Sequence, residues 1–299
     1  MSGEPLVSII TVNFNQIKVT TELLDSIRGL SFQDYEVILV DNGSEDDSTD
    51  LIIKKYPEVQ YIVSQDNLGF SGGNNLGIRA SKGEYLFFVN NDAEITEGCI
   101  ETLLNLFEKN PKLGIVSPQI CYDPKMTNNQ KIIQYAGATH VHPFTARNEI
   151  LGEKQLDKGQ FSQSKETAYA HGAAMMVKRE VVDNVGVMPE EFFLYYEELD
   201  WSEQIRNAGY KVMVEPNALV FHKESLSVGQ RSMTKTYYHT RNRIYFVRRN
   251  RSRIQILFFY LFLFFFTIPK NTFMFLKNGE RDHLKAFFQG IWWNLKGEG

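Results

Sequence analysis

The ten residues YLFFVNNDAE, positions 85–94, run through five apolar side chains and then turn polar at Asn90, Asn91, Asp92 and Glu94. A short unbroken apolar run of this kind reads as a strand buried on both faces, with polar groups marking its carboxyl end. The same pattern recurs upstream. Leu6 to Val12 gives way to Asn13 and Asn15, and Tyr35 to Val40 stops at Asp41. Between these runs the apolar spacing turns helical: Val19, Leu23, Leu24, Ile27 and Leu30 fall on one face of 18–30, and helices are also expected over 47–56, 74–81, 100–109 and 197–208. Further strands are expected at 59–63, 113–117, 168–177, 211–214 and 219–221, whereas 119–168 lacks periodicity and reads as loops. Strands alternating with helices in this way predict an α/β fold, a Rossmann-like, mostly parallel central sheet flanked by helices. In such sheets ligands bind beyond the carboxyl ends of the strands, where the polar clusters stand.

Composition narrows the function. The chain has 299 residues, enough for one large α/β domain with an appendage, and its 43% apolar and 23% charged residues are ordinary for a globular protein. A net charge of -4 argues against a nucleic-acid binder, so no nucleic-acid partner is expected. Two cysteines, Cys99 and Cys121, without a CxxC spacing offer neither a disulfide framework nor a zinc site. The opening MSGEPLVSIITVNF lacks a basic leader and a cleavable apolar core, so the catalytic part is expected in the cytosol.

Four clusters and one histidine carry possible chemistry. Asp41 opens DNGS (41–44), where a carboxylate could accept from a base or ribose; a turn followed by a helix cap built on Ser44 and Asp47 explains it equally. The run NLGFSGGNNLG (67–77) leads into a helix, and its glycines would let backbone approach an anion such as a diphosphate. It is neither GxGxxG nor a P-loop, and a plain Gly-rich connection fits as well. Asp92 after the 85–89 strand suits Mg2+ or Mn2+, which take one or two carboxylates and fill their shell with phosphate oxygens. Glu197, Glu198 and Asp200 in FFLYYEELDW (192–201) crowd three carboxylates beside aromatics, which raises at least one pKa and suits a general base. On a helix Glu197 and Asp200 share a face and Glu198 points about 100° away. His222 ends a short apolar run and could be a metal ligand or simply structural.

The character changes after about residue 235. Arg241, Arg243, Arg248, Arg249, Arg251 and Arg253 precede ILFFYLFLFFFTIP (256–269), which has no charge until Lys270. Fourteen residues are short of the ~20 that cross a bilayer, so an interfacial helix is expected, with the arginines favouring an anionic leaflet and Trp292 and Trp293 as anchors.

Taken in order, TVNFN (11–15), DNGS, NLGFSGGNNLGI (67–78), NNDAE (90–94), HGAAMMVKREVVDNVG (171–186), FFLYYEELDWSEQIRNAGYK (192–211), VFH (220–222) and RNRIYFVRR (241–249) resemble the family 2 glycosyltransferases with a GT-A fold, and among them bacterial rhamnosyltransferase-like enzymes of polysaccharide assembly. The resemblance implies an inverting, metal-dependent transferase. Its partners would be a nucleotide-sugar donor, with dTDP-rhamnose leading, and a glycan or polyprenyl-linked acceptor. It would work at the cytoplasmic face of the inner membrane, bound peripherally or monotopically through 254–299. It places Thr11, Asn13, Asn15, Asp41, Asn67, Gly69, Asn74, Asn90 and Asn91 at the nucleotide-sugar, and Asp92 and His222 at the metal, Mg2+ or Mn2+. His171, Gly172 and Ala173 fall at the acceptor pocket and Glu198 at the base, with Asp200 and Glu197 as alternatives. Asn90 stands where the metal motif has its first Asp, and Glu198 where the family has Asp. The domain expectation is a GT-A unit over 1–235, with a nucleotide-sugar half over 1–118 and an acceptor half over 119–235, and a helical membrane segment over 236–299. Competing readings are a sugar nucleotidyltransferase, whose basic Gly-rich N-terminal loop is missing from NFNQIKVT (13–20), and a degenerate nucleotide-binding scaffold.

Overall fold

The computed structural model describes residues 4–45, 48–223 and 232–296; Asp47, part of the cap considered above, lies outside them. In chain order the strands are β1 Val7–Asn13, β2 Tyr35–Asn42, β3 Val59–Ser64, β4 Tyr85–Val89, β5 Ala93–Ile95, β6 Leu113–Tyr122, β7 Ile133–Tyr135, β8 Lys165–Glu166, β9 Ala174–Lys178 and β10 Lys211–His222. The helices are α1 Ile17–Arg28, α2 Thr49–Lys55, α3 Gly69–Ala80, α4 Cys99–Lys109, α5 Arg179–Val185, α6 Glu197–Asn207, α7 Met233–Asn250, α8 Arg253–Phe262, α9 Ile268–Lys277 and α10 Arg281–Lys296, with a π-helical turn, Leu263–Thr267, joining α8 to α9.

One sheet runs in the order β3-β2-β1-β4-β9-β6-β10-β5, with β7 beside β6 and β8 beside β10. The apolar runs form its centre as expected, and alternate side chains serve opposite faces. Val37 and Leu39 join Leu23, Leu24, Leu103 and Phe107 on one side; Ile38 and Val40 join Ile78, Val181 and Trp201 on the other. β1, β2, β3 and β4 pair in parallel, as do β6 and β10. β9 is inserted antiparallel between β4 and β6, with Val89 opposite Ala174. Because β9 runs backwards, its beginning meets the end of β4, and residues 171–173 arrive where Asn90 leaves the sheet.

Several boundaries differ from the periodicity. Residues 168–173 stay irregular, closed by Ala174 N–H donating to the His171 carbonyl. β10 is one strand with a bulge between Glu215 and Leu219, not two. α3 starts at Gly69 rather than 74. Its glycines serve packing: a Cβ on Gly69 would lie 2.2 Å from the Phe193 carbonyl oxygen, and one on Gly77 2.3 Å from Ile10 Cγ2.

The C-terminal apolar segment is also longer than 256–269. Residues 253–277 are one helical stretch of 25 residues with mean hydropathy 1.6 in its most apolar window, long and apolar enough to cross a membrane. Pro269 stands at the start of α9, directly after the π-turn, where a helical proline is tolerated. Phe259, Leu263, Thr267 and Phe275 lie buried along one side, so the stretch rests lengthwise on the body; Phe264, Phe265 and Phe266 are 61–65% exposed on the other. The arginines are not a free patch. Arg249 pairs with Asp200 at 3.1 Å, Arg251 with Glu203 at 2.7 Å, and Arg241 lies 4.0 Å over Trp293. Trp292 is exposed, whereas Trp293 packs on Tyr245.

Candidate active site

The carboxyl ends of β1, β2 and β4 converge on a hydrogen-bonded floor. Asn13 Nδ2 donates to Asp41 Oδ2 at 2.8 Å and to Ser44 Oγ at 3.1 Å, and the Ser44 N–H donates to Asp41 Oδ1 at 2.9 Å. Asn15, with φ of 54°, donates its N–H to Ser44 Oγ. Asn91 Nδ2 donates to Thr20 Oγ1, which donates to Asn13 Oδ1. Four of the residues expected at the nucleotide-sugar, Asn13, Asn15, Asp41 and Asn91, thus share one network. Asn67 sits in a neighbouring one, accepting from Gly69 N–H and Asn42 Nδ2. Thr11 is fully buried inside β1 with no partner for its hydroxyl, and Asn74 is buried and bonded to the Phe70 carbonyl of its own helix.

At the far end of β10, His222 meets the end of β4. His222 Nε2 lies 3.0 Å from Asp92 Oδ1 and 3.3 Å from Asn90 Nδ2, and Nδ1 lies 2.8 Å from Gln134 Oε1. With its Nδ1 proton donated to Gln134, the ring turns a lone pair toward a carboxylate. A cation between the two would satisfy both. Burial pushes the Asp92 carboxyl up, but the hydrogen bond and charge of His222 outweigh it and hold it below the usual range. Among the described residues no three His, Cys, Asp or Glu side chains surround one point. Asp92 and His222, with Asn90 adjacent, therefore fit a hard cation that takes most of its shell from a ligand. His171 lies edge-on to His222 at 6.4 Å and 5.0 Å from the Tyr135 ring; burial lowers it to about 3, so it is neutral. Its Nδ1 accepts from Ala173 N–H, and Gly172 lies against Phe70.

The acidic cluster forms the first turn of α6. The loop before it holds Phe193, Tyr195 and Tyr196 at φ of 63°, 69° and 77°, a conformation L-residues adopt at a cost. One side chain clamps it: Asn242 Nδ2 lies 2.9, 2.8 and 2.8 Å from the carbonyls of Phe192, Leu194 and Tyr195 and shares its two protons among them. Glu197 is fully buried, with one carboxylate oxygen unpartnered; burial and the neighbouring Glu198 push its pKa well up. Glu198 is half-buried, and burial pushes it to about 7. Its charge adds to burial in raising the hydroxyls of Tyr135 and Tyr169, whose rings lie 5.6 Å apart. Asp200 is committed elsewhere, to Arg249, Gln204 and Asn250, and burial raises it against their pull. Gln134, Tyr135 and Asn242 have no expectation attached to them in the sequence. The first two lie in the stretch without periodicity; Asn242 hides in an arginine run, although an amide inside an amphipathic helix is itself a signal for a buried clamp.

Residues 8–186 match the sequence profile described as Glycosyl transferase family 2. The chain is similar to the low-salt glycan biosynthesis hexosyltransferase Agl10 of Haloferax volcanii, with 29% identity over 209 residues, covering 69% of this chain and 63% of that protein, less than two thirds of its length. It is similar also to the N-acetylglucosaminyl-diphospho-decaprenol L-rhamnosyltransferase of Mycobacterium tuberculosis, at 23% identity over 74% of this chain and 77% of that one. A solved structure, the mannosyltransferase PcManGT from Pyrobaculum calidifontis in complex with GDP-Man and Mn2+, superposes with a TM-score of 0.59 at 16% identity, over 100% of this chain and 77% of that chain, a likeness of fold.

Proposed function

The chain belongs to glycosyl transferase family 2, and on that premise we propose that it transfers a sugar, rhamnose from dTDP-rhamnose, onto a glycan or polyprenyl-linked acceptor with inversion at the anomeric carbon. The observation that carries this is the meeting of Asp92 and His222 at 3.0 Å beyond the strand ends; Glu198, a half-buried carboxyl that burial pushes to about 7, supports it. Asp41, held by Asn13 and Ser44, presents acceptor atoms for a base or ribose. Ionised Glu198 takes the proton of the acceptor hydroxyl as that oxygen bonds to the anomeric carbon; the bond to the diphosphate breaks and its electron pair leaves with the nucleoside diphosphate. A base with a pKa near the working pH suits this role. Asp92 and His222 would hold Mg2+ or Mn2+, which would supply neutralisation of the leaving diphosphate. Neutral His171 and the backbone of Gly172 and Ala173 border the acceptor side.

The membrane contributes the acceptor in this reading. The exposed aromatic side of 253–277 lies in the bilayer interface while its buried side holds the catalytic body at the cytoplasmic face, monotopically. The similarity to a transferase named for a decaprenol-diphosphate acceptor supports the lipid-linked alternative.

Calorimetric titration with dTDP, UDP and GDP, each with and without Mn2+ or Mg2+, tests the proposal. Metal-dependent binding of one nucleotide, lost in Asp92→Ala, is expected. Absence of binding under every condition, or metal-dependent binding that survives Asp92→Ala, refutes it.

A further inference from the structure

A cavity of about 370 Å³ opens between α7 and the helices 253–277 and α10, within the ~300–1,000 Å³ typical of small-molecule sites. Its chemistry is two-sided. One wall is a polar stripe of α7, with Lys235, His239 and Arg243 four residues apart; Lys235 and Arg243 carry the charge, and burial, with Lys235 beside it, lowers His239 to about 4 and leaves it neutral. The other is apolar, with Leu263, Phe275 and Phe287. No Asp or Glu lines it among the described residues. Arg243 is half-buried, its Nε has no partner, and no carboxylate of the described residues pairs with it or with Lys235. Its guanidinium donates to the Thr145 carbonyl, lies 5.6 Å from the Phe259 ring, and shares the neighbourhood with a further cation, Arg147. Lys235 Nζ stands 5.9 Å over the Tyr195 ring. Cations taken out of water without a counter-charge are costly, so Lys235 and Arg243 along one cavity wall call for an anion.

The place of the cavity says which anion. Tyr196, two residues before Glu198, lines it, and its hydroxyl feels the charges of both Arg243 and Glu198. On the opposite side the cavity abuts the helix whose Phe264, Phe265 and Phe266 are exposed. We propose that this cavity holds the diphosphate of an amphiphilic, isoprenoid-linked acceptor, with Arg243 and Lys235 as its counter-ions and the aromatic face of 253–277 along its hydrocarbon chain. The sugar carried by that diphosphate would then reach past Tyr196 toward Glu198. The purpose of the site rests on the transferase reading above; its ligand preference does not.

The test is calorimetric titration of the full chain in neutral detergent with farnesyl diphosphate, farnesol, inorganic diphosphate and dihexanoyl phosphatidylglycerol. Farnesyl diphosphate is expected to bind at least about tenfold more tightly than each of the other three. The affinity should fall by about tenfold or more in Arg243→Gln and in the more peripheral Lys235→Gln, as loss of a charge-assisted hydrogen bond predicts, and recover partly in Arg243→Lys. Thermal melts identify any variant that has lost its fold, and Lys235→Gln then decides. Equal binding of inorganic diphosphate makes this a free-anion site, equal binding of phosphatidylglycerol makes it a general headgroup patch, and unchanged affinity in the folded variants removes Lys235 and Arg243 from the site; each overturns the proposal. Nucleotide binding by the wild-type chain, measured separately, reports on the transferase reading, so either can fail without the other.

Discussion

Replacing Glu198 by Gln keeps the shape of the side chain and removes its ionisation, which separates the chemical role of this carboxyl from its cost to the fold. Burial moves Glu198 from an ordinary 4.5 to about 7. At ~1.4 kcal/mol for each tenfold change in proton affinity, the ionised form costs the folded state at most ~3.5 kcal/mol. Water reaches this half-buried group, and screening reduces the expectation to about 1–2 kcal/mol. The direction follows from linkage. Unfolded chain gives up this proton near 4.5, whereas folded chain keeps it until about 7, so the penalty is absent below about 4.5, grows between the two values and is complete above 7. Differential scanning fluorimetry of wild type and Glu198→Gln should therefore give matching melting temperatures at pH 4.5. At pH 8 the variant should melt ~2–6 °C higher. Sugar transfer by the variant should be lost, and wild-type kcat/KM should rise with pH through about 7. A variant less stable than wild type at pH 8, or a difference that ignores pH, refutes the assignment of a strained carboxyl here. Wild-type turnover in the variant refutes the base and leaves Glu197 and Asp200.

Two further outcomes follow from the packing. Asn242→Ala leaves the carbonyls of Phe192, Leu194 and Tyr195 without their donor; urea unfolding should show a loss of ~2–4 kcal/mol, with kcat falling and nucleotide affinity retained, and a loss under about 1 kcal/mol would dismiss the clamp. Changing Phe264, Phe265 and Phe266 together to Ser removes three side chains that are 61–65% exposed; at ~1.5 kcal/mol each, partition onto anionic vesicles in a flotation assay should fall on the order of a thousandfold, and unchanged flotation would mean that this face does not meet lipid.

What the sequence discloses and what it conceals divide along physical lines. The runs at 7–13, 35–42 and 85–89 are legible because double burial demands continuous apolar side chains, and the polar residues that end them do meet in one floor. The direction of β9 is not legible, since a short apolar strand carries no mark of parallel or antiparallel pairing; that reversal is what delivers His171 to His222. The glycine run at 69–77 shows that something approaches closely, a ligand or the protein's own groups; at Gly69 and Gly77 the Phe193 carbonyl and the side chain of Ile10 do so. Composition cannot distinguish these, because each demands a missing Cβ. The arginines mislead for a similar reason: a basic run before an apolar helix reads as lipid-facing, and three of its members instead meet Asp200, Glu203 and Trp293. Asp92 and His222, 130 positions apart, were brought together by family resemblance and not by any spacing; the chain closes that gap only by pairing β10 with β5.

The clamp of Asn242 also bears on how such a chain can be divided. It belongs to α7, as do Arg249 and Asn250, which secure Asp200, while Asn294 of α10 holds α7 in turn by donating to the Arg241 carbonyl. A cut near residue 235, the natural place to shed the greasy end and obtain a soluble fragment, would take away the groups that shape the acidic loop. The two parts are thus not modules that could be traded freely: any donor of a new tail must also bring an amide at the right turn of its first helix.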